Sequence, residues 1–204
     1  DIGDTIADPE QPMALPPVKV DEPTMTMLFR TNDSPFPGQE GDYVTSRQNR
    51  ERLDKELQRN VAMRVESGRT AEESMVSGRG VMSLGILIET MRREGYEFCV
   101  SAPRVLTKMV NGQMHAPLEQ LIIDLPEDNL GPVMETVGLR RAEMINMSGS
   151  GTGRLRLEFI IPARGLIGLR SDILTLTRGY GIMNHLFHDY GPWRGEIAGR
   201  TRGS

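Results

Sequence analysis

Two hydrophobic periods alternate along this chain, and their order repeats. TMTMLFRT, Thr24 to Thr31, alternates and predicts a strand. The loop TNDSPFPGQEGDY follows, with two prolines and two glycines. Thr45 and Gln48 then form a capping-box pair, opening a helix to about Asn60 with Leu53 and Leu57 facing inward. Val61 to Glu66 and Ser74 to Ser77 predict strands around a turn at Ser67 to Glu73. Leu84, Leu87, Ile88 and Met91 sit at i, i+3, i+4 and i+7, marking a one-faced helix that Gly95 stops. Tyr96 to Ser101 is the last strand of a βαββαβ series.

The series then recurs. Leu118 to Leu125 predicts a strand, and Leu130, Val133, Met134 and Val137 a short helix closed by Gly138. Ala142 to Met147 and Gly153 to Ile161 predict two strands joined through SGSGTG, the second with Leu155, Leu157, Phe159 and Ile161 on one face. A helix with apolar positions Leu166, Leu169, Ile173 and Leu176 runs to Arg178-Gly179, and Ile182 to Asp189 closes the unit. The expected fold class is α+β: two tandem ferredoxin-like (βαββαβ) domains with antiparallel sheets, over residues 23–102 and 103–192. Residues 1–22 are proline-rich and have no core of their own, and the tail GPWRGEIAGRTRGS has no core pattern.

Charge adds an asymmetry to a net charge of -4. Residues 1–44 hold nine acids against Lys19 and Arg30, whereas residues 130–204 hold ten arginines, no lysine and six acids. An arginine-only basic end suits bidentate phosphate contacts, and it equally suits solvated surface. No apolar run approaches the roughly 18 residues of a membrane helix, so no membrane partner is expected. DIGDTIADPEQ is too acidic for a signal peptide, and Cys99 is the single cysteine, which together point to the cytoplasm.

Few residues carry chemistry. SGSGTGR, Ser148 to Arg154, lacks a GK pair and lies between strands, so it reads as a hairpin loop, not a phosphate cradle. His115, His185 and His188 are scattered, and His185 and His188 fall on opposite faces of a regular strand; no metal site is expected. Met25, Met27, Met63, Met82 and Met91 read as core filling. Arg154 and Arg156 alternate with Leu155 and Leu157 and so project from the opposite sheet face, toward phosphate, protein or solvent. Arg164, Arg170 and Arg178 lie on or beside the following helix, with Arg164 and Arg178 spaced to share one side of it. These five arginines are the candidate RNA-binding residues. No aromatic interleaves them, so base readout is not expected. Ser34 and Cys99 are possible nucleophiles without an evident base.

Several separated motifs resemble one family. VDEPTMTM at Val20, SPFPGQEG at Ser34, VTSRQ at Val44, LDKELQRNVAMRVE at Leu53, LIETMRREGYE at Leu87 and IPARGLIGLRS at Ile161 look like the BipA/TypA translational GTPases. The resemblance implies domains III and V of an elongation-factor-G-like protein. Residues 1–22 would end its β-barrel domain II, and residues 193–204 would begin its C-terminal domain. It further implies ribosome-linked GTP hydrolysis, ribosome assembly and stress adaptation. GTP and magnesium would sit in an N-terminal domain outside this chain. The chain itself is then expected to be non-catalytic, without cofactor, and to contact ribosomal RNA and ribosomal proteins near the factor-binding site. Its oligomeric state is left open, with a monomer as the expectation. The alternative is a small-molecule-sensing pair of ferredoxin-like domains. One departure stands out: GRGVMSL at Gly78 replaces the family's usual GRGELHL, with Val81, Met82 and Ser83 in place of an acid, a leucine and a histidine.

Overall fold

A computed structural model describes residues 5, 7–10, 13, 15–16, 22–149, 151 and 153–197. The chain divides into two compact units, residues 1–104 and 105–204. Most of the proline-rich start, Ser150 and Thr152 of the SGSGTG loop, and residues 198–204 lie outside the described residues.

The first unit contains β1 (Met25–Arg30), α1 (Ser46–Leu57), β2 (Arg64–Ser67), β3 (Glu73–Gly78), α2 (Val81–Arg93), β4 (Cys99–Val100) and β5 (Arg104–Val105). Its strands run β2-β3-β1-β4, with β5 also on β1, the order of an antiparallel ferredoxin-like sheet. Thr45 and Gln48 form both bonds of the capping box at the start of α1. Leu53, Leu84, Leu87 and Met91 from the helices are buried, as are Met25, Met27, Phe29 and Val76 from the strands. Met63 is buried too, but Met82, expected in the core, is 77% exposed.

Two strands differ from expectation for local reasons. Residues 60–63 turn, with the Met63 amide donating to the Asn60 carbonyl, so β2 starts only at Arg64. The expected strand over Tyr96 to Ser101 shrinks to two residues because its first half is spent on the loop before α1. The Glu97 amide donates to the Tyr43 carbonyl. The Glu97 carboxylate is buried and accepts from the Asn32 side chain at 2.6 Å, the Gly38 amide at 3.0 Å and the Glu40 amide at 2.9 Å. These donors, the Asn32 bond first, hold its carboxyl below the usual range.

The second unit contains β6 (Lys108–Val110), β7 (Gln113–Pro126), α3 (Leu130–Leu139), β8 (Glu143–Gly149), β9 (Arg154–Pro162), α4 (Leu169–Leu176) and β10 (Ile182–Pro192). The order β10-β7-β9-β8 repeats the first sheet's topology. Leu121, Ile123, Leu125, Leu157, Phe159 and Ile161 meet Val133, Val137, Leu169 and Ile173 in one core. The β6–β7 hairpin is an addition to the expected order. Asn111 and Gly112 turn it with φ of 52° and 79°, the left-handed pair that an Asn-Gly hairpin turn requires.

Gly138 does not close α3: the helix reaches Leu139, and Arg141 takes the left-handed conformation at φ 62°. The single helix expected after β9 is two pieces. A 3-10 turn, Ala163–Leu166, is followed by a break at Gly168 with φ 75°, and only then by α4. A Cβ on Gly165 would lie 2.9 Å from the Arg140 carbonyl oxygen, so that turn packs too closely for a side chain. Because the helix is broken, Arg164 and Arg178 do not share a helical side. Arg164 is in the 3-10 turn, and Arg178 follows α4 at φ 53°.

Candidate nucleic-acid interface

The alternation of β9 places Leu157 and Phe159 in the core and Arg156 on the exposed face of the second sheet. Arg154 lies two residues away on that face, half-buried. Register then sets their neighbours. Arg156 stands opposite Asp124 of β7, and its Nε and Nη2 donate to the two carboxylate oxygens at 2.9 Å each. That bidentate bond holds the Asp124 carboxyl below its ordinary range. Arg154 donates to the Tyr180 carbonyl at 3.1 Å and the Asp124 carbonyl at 3.4 Å. Ile122, Glu158 and Ile160 occupy the same face, so it is mixed in charge and partly apolar.

The other three candidates do not join this pair. The Arg164 guanidinium lies 3.7 Å over the Trp193 ring, donates to the Gly195 carbonyl, and is pushed below its usual pKa by burial. Arg170 donates to the Met183 carbonyl at 3.2 Å. Arg178 is exposed, and its side chain bonds no described residue.

Three further arginines of this unit also act inward. Arg140 donates to the carbonyls of Gly165 and Ile167 at 2.7 Å each and to Asp172 at 2.5 Å, clamping the 3-10 turn and the start of α4. Arg194 donates to the Arg141 and Ile160 carbonyls and to Glu143. Arg141 reaches the Glu196 carbonyl at 3.3 Å. The tail read as patternless is thus bonded to the sheet as far as Glu196, and the Trp193 amide donates to the Met114 carbonyl. Sequence reasoning missed these clamps because their acceptors are mostly backbone carbonyls, which leave no residue signature.

The remaining candidate chemistry resolves plainly. His185 Nδ1 bonds the buried Glu119 carboxylate at 2.5 Å. A bulge between Phe187 and Asp189 breaks the alternation on which the opposite-face expectation for His188 rested. The Ser34 hydroxyl accepts from the Phe36 amide, and the Cys99 thiol bonds Asn32; neither pairs with a histidine. No described helix is long and apolar enough to cross a membrane.

Comparison with known proteins gives consistent matches. Residues 113–201 match the family described as Elongation factor G C-terminus. Over 202 residues, 99% of this chain, the sequence is 56% identical to the Large ribosomal subunit assembly factor BipA of Synechocystis sp., of which it spans 34%. It is 52% identical over 204 residues to the chloroplastic TypA-like SVR3 of Arabidopsis thaliana, covering all of this chain and 30% of that protein. It is 47% identical over 203 residues to the Large ribosomal subunit assembly factor BipA of Bacillus subtilis, covering 99% of this chain and 33% of that protein. The chain therefore spans about a third of the length of the curated relatives it matches. A crystal structure of a Thermus thermophilus protein superposes with a TM-score of 0.52 at 12% identity, covering 87% of this chain and 42% of that one, a likeness of fold.

Proposed function

Because the chain belongs to the BipA/TypA family of elongation-factor-G-like proteins, we propose that it is the ribosome-contacting, non-catalytic part of a ribosome-associated GTPase. In this reading the whole protein acts in the cytoplasm, in translation, large-subunit assembly and stress adaptation. GTP and magnesium bind in a part of it outside these residues. The two units correspond to domains III and V. The observation that carries the proposal is identity of 47–56% along essentially the whole chain to relatives named as large-subunit assembly factors.

Within the second unit, Arg156 and Arg178 are the candidates that RNA can reach directly. A phosphate approaching Arg156 must compete with Asp124. The side chains are 56% and 23% exposed, so the pair is partly solvated and weakened by solvent screening. An RNA phosphate can replace such a partner. Arg164 and Arg170 hold backbone carbonyls and support this surface without facing the RNA.

The test is co-sedimentation of the 204-residue chain with large ribosomal subunits across a salt series. The chain is expected to sediment with them at low salt and to be released as salt rises. Arg154→Ala/Arg156→Ala and Arg178→Ala are each expected to lower the salt at which release occurs. Absence of co-sedimentation at any salt would defeat the ribosome reading. Unchanged release by both variants would remove these arginines from it.

A further inference from the structure

The exposed face of the first sheet carries a cavity of about 550 Å³. Leu28 of β1 and Met75 of β3 stand opposite each other and form its apolar floor. Its rim includes Arg69, in the turn after β2, and Arg104, which opens β5. Both residues are exposed, and neither guanidinium donates to a described acceptor. This is the opposite of the second unit, where most arginines are bound to carbonyls or carboxylates. Arg64 stands on the same face, one register row away, opposite Ser77.

The acids on this face are Glu66 and Glu73. Glu73 does not pair with the Arg69 side chain. Its carboxylate instead accepts from the Arg69 backbone amide at 3.1 Å, which fixes the turn and leaves the guanidinium outside. Two hydroxyls at the cavity are spent, Thr26 on the Val76 carbonyl and Ser101 on the Ala102 carbonyl, and Ser67 stands in the register row of Ser74, which belongs to the other face of the sheet. The groups left to bind a ligand are two guanidiniums over an apolar floor. Each planar guanidinium fork matches an anion that offers it two oxygens, as a phosphate does. No aromatic ring lines the cavity, so bases have no stacking platform there.

We propose that this cavity binds the phosphate backbone of single-stranded RNA, with Arg69 and Arg104 each holding one phosphate. The inference rests on the ribosome reading for its partner class but places the contact on the first unit. Recognition is of backbone, so affinity depends on salt and hardly on sequence.

The experiment uses the 204-residue chain and a fluorescent mixed-sequence single-stranded RNA, titrated over salt. Each phosphate contact to a single strand contributes about 0.7 to the slope of log affinity against log salt. Arg69→Ala/Arg104→Ala is therefore expected to flatten the slope by about 1.4. Arg69→Lys/Arg104→Lys keeps both charges and is expected to keep the slope, which separates charge from loss of fold. A scrambled RNA is expected to bind equally. An alanine variant that melts like the parent and binds with an unchanged slope overturns the proposal. So does saturable binding of inorganic phosphate that is tighter than RNA, which would mark a free-anion site, or binding only of an acidic peptide such as poly-glutamate. If the parent sediments with ribosomal subunits but binds no single-stranded RNA, this inference falls and the ribosome reading stands.

Discussion

At the scale of single residues, several charged side chains of this protein are spent on backbone groups far along the chain. Glu97 illustrates this best. The carboxylate at the end of LIETMRREGYE is buried and gathers amides from a loop nearly sixty residues earlier. Its folded pKa is lowered, so the unfolded chain binds more protons in the window between the two values. The Glu97 contribution to stability is accordingly present above the ordinary glutamate pKa of about 4.3 and is lost as pH falls through the lower folded value. Glu97→Gln is expected to lower the melting temperature at pH 7 and to flatten its fall as pH drops below the ordinary glutamate range. Melting curves over that range check it, and a variant with the parent's pH profile would show that the carboxylate does not anchor the loop. Arginines behave in the same way: Arg140, Arg164 and Arg194 each bind at least one carbonyl. Arginine serves this role well because its donors lie in a fixed fork.

At the scale of elements, local sequence decides where helices start and tertiary packing decides where they break. The capping box at Thr45 was legible because it needs only residues i and i+3. The break at Gly168 was not, because Leu166, Leu169, Ile173 and Leu176 keep helical spacing across it. What breaks the helix is the close seat of Gly165 under the Arg140 carbonyl, with Gly168 supplying the left-handed turn into α4. Gly168→Ala has open space for its Cβ, so its cost is the backbone conformation alone, about 1–2 kcal/mol. Chemical denaturation is expected to show that loss with an unchanged denaturant slope. A neutral result would mean that the turn relaxes without the left-handed residue. The β6–β7 hairpin is a different kind of omission. Its Asn-Gly signal is present in the sequence at Asn111-Gly112, but β6 contributes only Lys108–Val110, too short for a period of two to show.

At the scale of the whole molecule, two units of one topology carry different surfaces. The second holds an arginine-rich sequence whose guanidiniums largely face inward; the first holds free arginines around an open cavity. Neither unit contains the GK pair of a phosphate-binding loop, so the chain is expected to show no stoichiometric heat with GTP in calorimetry and no turnover above a buffer blank. Either signal would contradict the non-catalytic assignment. The sequence by itself determined the fold class, the two βαββαβ series, most of the core positions and the likeness to the BipA/TypA relatives. Those depend on periods of two and 3.6, on caps, and on motifs that are local along the chain. The tertiary structure alone decided which charges remain available. Asp124 and Arg156 are 32 residues apart and meet only through the register of β7 with β9, and Arg164 meets Trp193 only because the chain returns after β10. The partner of a long, charged side chain is set by through-space neighbours, so counting arginines in the sequence located the basic end but not the arginines left free to bind.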